Sequence, residues 1–97
     1  MAIVLRPRQR ATLKARAHAL EAIVQVGHAG ATDAVVAEVD RALTAHGLIK
    51  ARLAGERDVR DELAAAIAAR TDAAIVQQVG RIVTLWRPRP DDEPLGD

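Results

Sequence analysis

The sequence predicts an α/β fold, a single compact domain whose mixed sheet carries helices packed on it. Three observations predict it. Apolar residues recur at helical spacing in three segments, four short apolar or alternating runs read as strands, and the last two runs are joined tightly at Gly80-Arg81. The order is α-β-α-β-α-β-β. A helix between consecutive strands implies right-handed parallel crossovers, and a terminal hairpin adds an antiparallel strand, so the four-stranded sheet is mixed.

The first helix is expected from about Pro7, a residue suited to the first helical position, to about Leu20. Leu13, Ala17 and Leu20 give it one buried stripe. Arg6, Arg10 and Lys14 stand four apart on another face, with Arg8 and Arg16 on the same segment and no acid among the first 20 residues. Like charges at that spacing cost a few tenths of a kcal/mol per pair, roughly as much as cations near a helix N-terminus do. Local stability does not favour this arrangement, and a basic stripe facing phosphates accounts for it; a solvated face is the plainer alternative.

Ala22 to Val26 reads as a buried strand. It runs into Gly27-His28-Ala29-Gly30-Ala31-Thr32, a Gly-x-x-Gly loop that opens the second helix. Two glycines three apart allow a sharp turn and leave no side chain to hold a polyanion away from the amides, and the helix start adds unpaired N–H groups and the positive end of its dipole. Gly27, His28, Ala29, Gly30 and Thr32 are therefore a candidate phosphate seat, although two glycines at this spacing also occur in ordinary turns. The second helix is expected over Asp33 to His46, with Thr32 as N-cap, Gly47 beyond its end, and Val35, Val36, Val39, Ala42 and Leu43 inward. Asp33, Glu38 and Asp40 make its outer face acidic, which restricts any contact with nucleic acid to its N-terminal tip.

Leu48 to Leu53 alternates, with Ile49, Ala51 and Leu53 on one face and Lys50 and Arg52 together on the other. Gly55 ends that strand. A third helix follows, ending near Arg70, with Val59, Leu63, Ala66 and Ile67 as its inward stripe. Ala73 to Val79 and Ile82 to Arg87 form the hairpin, which sets Arg81 in its turn and Arg87 at its end. Residues 1–88 make the domain, and 89–97, with two prolines and four acids, are expected to be a disordered tail.

Composition narrows the function. The 97 residues include one Trp, no Phe and no Tyr, so the core is aliphatic and only Trp86 is available to stack on a base. There is no cysteine, which removes disulfides, thiolate metal sites and thiol nucleophiles. No apolar run approaches the roughly 18–20 residues of a membrane span, and the N-terminus lacks a signal-peptide core. A cytoplasmic protein with no membrane partner is expected. His18, His28 and His46 fall on separate elements, no Ser-His-Asp spacing or metal cluster is present, and the glycine loop lacks the Lys-Ser/Thr of a nucleotide P-loop. No enzyme, cofactor, metal or small-molecule substrate is expected.

Leu13 with Arg16-Ala17-His18-Ala19-Leu20, Val24-Gln25-Val26-Gly27 with Gly30 and Thr32, Leu48-Ile49-Lys50, and Val79-Gly80-Arg81 with Leu85-Trp86-Arg87 together resemble the single-domain bacterial members of the CRS1-YhbY family, or CRM domain. The resemblance spans about residues 4–88. It implies a four-stranded fold similar to the C-terminal domain of translation initiation factor 3. It also implies RNA binding, a loop analogous to that of KH domains, and association with precursors of the large ribosomal subunit. The loop departs from the family pattern: His28 and Ala29 stand where a Lys is common, and Ala31 where Leu is common. Of the residues between the glycines, only His28 has a side chain that can carry positive charge.

The expected mechanism is a grip on the RNA backbone by the Gly27–Gly30 amides, surrounded by positive potential from Arg6, Arg8, Arg10, Lys14, Arg16, Lys50, Arg52, Arg81 and Arg87. A phosphate grip carries no sequence information, so selectivity would come from RNA shape or from neighbouring proteins. A winged-helix-like DNA-binding domain and a protein-interaction module are the alternatives. The mixed charges of the third helix suit a major-groove reader badly. Oligomeric state is open.

Overall fold

Strand alternation sorts the side chains of a computed structural model of this chain, described for residues 3–96, into two layers. Met1, Ala2 and Asp97, the last of the four tail acids, lie outside the described residues. The elements are α1 (Pro7–Ala17), β1 (Ala22–Val26), α2 (Asp33–His46), β2 (Leu48–Leu53), α3 (Arg57–Thr71), β3 (Ala74–Val79) and β4 (Ile82–Trp86). They build one four-stranded sheet in the order β1-β2-β4-β3. The β1–β2 pair is parallel, and β4 pairs antiparallel with both β2 and β3. The mixed sheet is as expected. The position of β3 is new: the crossover through α3 carries the chain past the neighbouring slot to the far edge, and the hairpin returns β4 into the gap.

Val24 and Val26 of β1, Ile49, Ala51 and Leu53 of β2, and Val83 and Leu85 of β4 face α2 and α3, where Val39, Leu43, Ala64 and Ile67 complete a core of fully buried aliphatic side chains. At about 1.5–3 kcal/mol for each large side chain removed from water, this layer supplies most of the driving force for folding. The alternate residues face the other way, toward α1, which packs on β2 and β3 through buried Leu13 and Ala17.

α2 has the expected bounds. Thr32 Oγ1 accepts from the Val35 amide at 3.2 Å, and Gly47, with φ +74, ends the helix by donating its N–H to Leu43 O at 2.8 Å. α1 stops at Ala17, short of Leu20, which is 39% exposed beyond the helix end. The inward stripe of α3 also differs from expectation. Ala64, Ile67, Ala68 and Thr71 are buried with Leu63 partly so, whereas Ala66 is exposed and Val59 is 44% exposed. Val59 sits in the first turn, against Gly55 and beyond the end of the sheet.

β3 is an edge strand with a register shift between Ile75 and Gln77. Such bulges leave carbonyls outside the ladder. Arg10 reaches them from α1, donating from Nη1 to Ile75 O at 2.8 Å and to Val76 O. After Trp86 there is no further helix or strand among the described residues. Arg89 nevertheless bonds Asp92 through its backbone N–H and its guanidinium and donates to Ala45 O, while Gln9 Nε2 donates to Gly96 O at 2.8 Å.

Candidate nucleic-acid interface

The C-terminal ends of β1, β2 and β3 and the start of β4 share one end of the sheet, because Val26 pairs with Leu53, and Ile82 with both Arg52 and Val79. Three connections therefore meet there: the Gly27–Gly30 loop, the Gly55 turn and the Gly80-Arg81 turn. Backbone bonds tie them together, from Ala54 N to Val26 O at 2.9 Å and from Leu53 N to Arg81 O at 2.7 Å. The Gly55 carbonyl accepts from Arg60 Nη1 at 2.8 Å and Arg81 Nη1 at 3.3 Å.

The loop itself is a tight turn closed by the Gly30 N–H donating to Gly27 O at 3.0 Å. Its two glycines differ in kind. Gly30 has φ +81, a conformation L side chains rarely adopt, and a Cβ there would stand 3.4 Å from Leu63 Cδ2. Gly27 has no positive φ, and a Cβ on it would meet nothing within 4 Å. Gly27, His28 and Ala29 are exposed, and the His28 and Ala29 amides carry no backbone partner among the described residues. Thr32, capping α2, fixes the helix start beside them. From α3, Arg70 holds the far side of the loop, donating from Nη1 to Ala31 O at 2.9 Å and pairing through Nη2 with Asp33 Oδ1 at 2.6 Å.

The cations picked out from sequence divide into groups. Arg52 and Arg81 are exposed at the loop end of the sheet. Lys50 lies one pleat further along the Arg52 face, its Nζ 3.1 Å from Leu20 O. Arg6, Arg8, Lys14 and Arg16 are exposed on α1 and its entry, on the sheet face opposite α2. Arg10 is engaged with the β3 carbonyls. Arg87 is at the other end of the sheet, where its guanidinium meets Asp40, Thr44 and the Thr71 carbonyl. Sequence reasoning missed Arg60 and Arg70, which hold the Gly55 and Ala31 carbonyls. Arg60 bonds a main-chain oxygen and is signalled only by following the Gly55 turn closely in sequence, whereas Arg70, which bonds Ala31 O and Asp33 Oδ1, carries no local sequence signal.

Two concavities flank this arrangement. One, of about 580 Å³, lies on the Lys50 and Arg52 face of the sheet. The other, of about 690 Å³, lies between α1 and the segment after β4 at the opposite end; Trp86 and Leu13 line it, and Asp92 and Glu93 place acid on its wall. Among the described residues there is no cluster of three His, Cys, Asp or Glu that could hold a metal, and no helix is long and apolar enough to cross a membrane.

Residues 5–87 of the chain match the CRS1 / YhbY (CRM) domain. The chain belongs to this family. An RNA-binding protein of Haemophilus influenzae is 41% identical over 85 residues, covering 87% of this chain and 86% of that one. A Pseudomonas aeruginosa protein bearing the name probable RNA-binding protein is 35% identical over 89 residues, covering 91% and 86% of the two chains. The fold is also that of the Staphylococcus aureus hypothetical protein SAV1595, whose solution structure aligns with a TM-score of 0.82 at 25% identity over 93% of this chain and 95% of that one. For a CRM domain with this four-stranded sheet, the winged-helix alternative falls away.

Proposed function

We propose that this CRM domain binds RNA by its sugar-phosphate backbone, and that its target is ribosomal RNA in precursors of the large ribosomal subunit. The observation that carries the reading is Gly27. The fold makes no demand for glycine at this position, whereas a phosphate seated on the neighbouring His28 and Ala29 amides does, since a side chain would hold it off. Arg52 and Arg81 stand at the same end of the sheet and supply charge without which a backbone grip is weak. The names of the relatives from H. influenzae and P. aeruginosa support RNA as the ligand, and the family resemblance supports the ribosomal target.

The test compares the wild-type chain with Gly27→Asp, in binding to ribosomal RNA fragments and in sedimentation of cell extracts. The wild type is expected to retain RNA and to travel with large-subunit precursors, while a folded Gly27→Asp chain loses both. Equal retention by the two would remove the loop from the mechanism, and sedimentation away from ribosomal particles would remove the target.

A further inference from the structure

Beside the loop, the sheet face turned away from α2 and α3 is organised in two cross-strand rows. The row nearest the loop is Gln25, Arg52, Ile82 and Val79, each pairing with the next across β1, β2, β4 and β3. The second is Ala22, Lys50, Thr84 and Gln77, paired in the same manner. The rows floor the 580 Å³ basin, a volume within the range of roughly 300–1,000 Å³ typical of small-ligand sites.

The chemistry of the floor is unusual for a surface sheet. Val79 is 65% exposed and Ile82 half-buried, so an apolar patch lies open on its β4–β3 side, nearest the loop end. Arg52 borders that patch, and its guanidinium has no hydrogen-bond or ion-pair partner among the described residues. Gln25 and Gln77, from opposite edges of the sheet, likewise have side-chain amides with no partner among the described residues. Each offers a donor pair and an acceptor. Glu21, at the rim, is the one acid among the basin's lining residues, against Lys50 and Arg52.

We infer that this face holds unpaired nucleobases of the RNA strand whose backbone the Gly27–Gly30 loop grips, with Arg52 and the Val79–Ile82 patch against the base planes and Gln25 and Gln77 at the base edges. The inference rests on the RNA-binding reading above and adds to it the means of selectivity. A chain with one tryptophan cannot build an aromatic stacking platform, but a guanidinium plane beside aliphatic carbon provides a comparable surface. Gln25 precedes Gly27 by two residues, about 7 Å along an extended strand, the reach of one stretched nucleotide. The positive side chains suit an anionic strand, and the amides match the donor and acceptor pairs of base edges, so the face fits single-stranded RNA better than duplex, whose base edges are already paired.

The experiment uses fluorescence anisotropy with two labelled oligoribonucleotides of equal length, one of mixed sequence and one abasic throughout. The proteins are the full chain, its Gln25→Ala/Gln77→Ala variant and Gly27→Asp, with thermal melting to confirm folding. The wild type is expected to prefer the base-bearing strand by about tenfold, the discrimination given by one good two-bond base contact. The Gln25→Ala/Gln77→Ala variant is expected to lower that ratio severalfold, to what contact with Arg52 and the Val79–Ile82 patch alone provides, while holding the abasic strand as tightly as the wild type does. Gly27→Asp is expected to weaken both strands alike. A wild-type ratio of one, or a ratio the double variant leaves unchanged, overturns this inference and leaves the backbone grip standing. Failure of the wild type to bind either strand overturns the RNA-binding reading and this inference with it.

Discussion

Arg87 Nη1 lies 2.7 Å from Asp40 Oδ1, and the same guanidinium donates to the main-chain carbonyls of Asp40 and Thr71 and to Thr44 Oγ1. One side chain at the end of β4 thus joins the middle of α2 to the last turn of α3. Arg87→Ala removes charge-assisted bonds from a side chain only 21% exposed and is expected to cost about 2–3 kcal/mol. The check is a lowered urea midpoint at unchanged slope. RNA affinity measured well below that midpoint should stay within about twofold of the wild type, because the residue is remote from the glycine loop, and a larger loss would place Arg87 in the interface.

The two loop glycines should separate in alanine scanning. Gly30→Ala places a Cβ on a backbone with φ +81 and is expected to lose roughly 1–2 kcal/mol of stability. Gly27→Ala should melt within about a degree of the wild type, since the space around it is open. The same Gly27→Ala is nonetheless expected to weaken RNA binding severalfold, which thermal melting and filter binding together would establish.

Electrostatic gripping has a salt signature. If about four phosphates of a single strand are neutralised, log affinity should fall against log salt concentration with a slope near −3. Arg81→Gln should make that slope shallower by roughly 0.7. A response flat in salt would contradict the mechanism.

Asp92 should titrate low. The Arg89 side chain and then the Arg89 backbone N–H hydrogen-bond to its carboxylate and hold its pKa below the ordinary 3.8, with smaller help from the charges of Arg89 and Arg16. A carboxyl whose folded-state value is depressed stabilises the fold above its unfolded pKa, and that contribution is lost as pH falls through the folded value. The contribution is therefore complete at neutral pH and fades below about 3.8. Carboxyl-carbon NMR titration should place Asp92 below its value in an Arg89→Ala chain; coincident curves would mean that the bond does not persist in solution.

What was legible in the sequence depended on local contrast. α2 was readable to the residue because Thr32, Gly47 and a clean valine-leucine stripe mark its start, end and inner face. α3 was misphased because Ala64, Ala65, Ala66, Ala68 and Ala69 look alike on either face, so Val59 and Ala66 were turned inward when Ala64 and Ala68 are. The insertion of β4 between β2 and β3 leaves no trace in a hydrophobic pattern, since it is a choice among non-local partners. In the candidate site, the glycine loop and its nearest cations, Arg52 and Arg81, stood out by spacing and alternation. The engagements of Arg10 and Arg87 did not, because the partners are largely main-chain oxygens, which every residue possesses.

β4, the last strand among the described residues, lies inside the sheet. During synthesis, β2 and β3 have emerged and α3 has crossed over before the piece that joins them exists, so the nascent polypeptide lacks a closed hydrogen-bonded layer until Trp86 clears the ribosome. Closure of the sheet therefore waits for β4, and fragments ending before Ile82 are expected to be captured by chaperones or degraded rather than persist as a half-built domain.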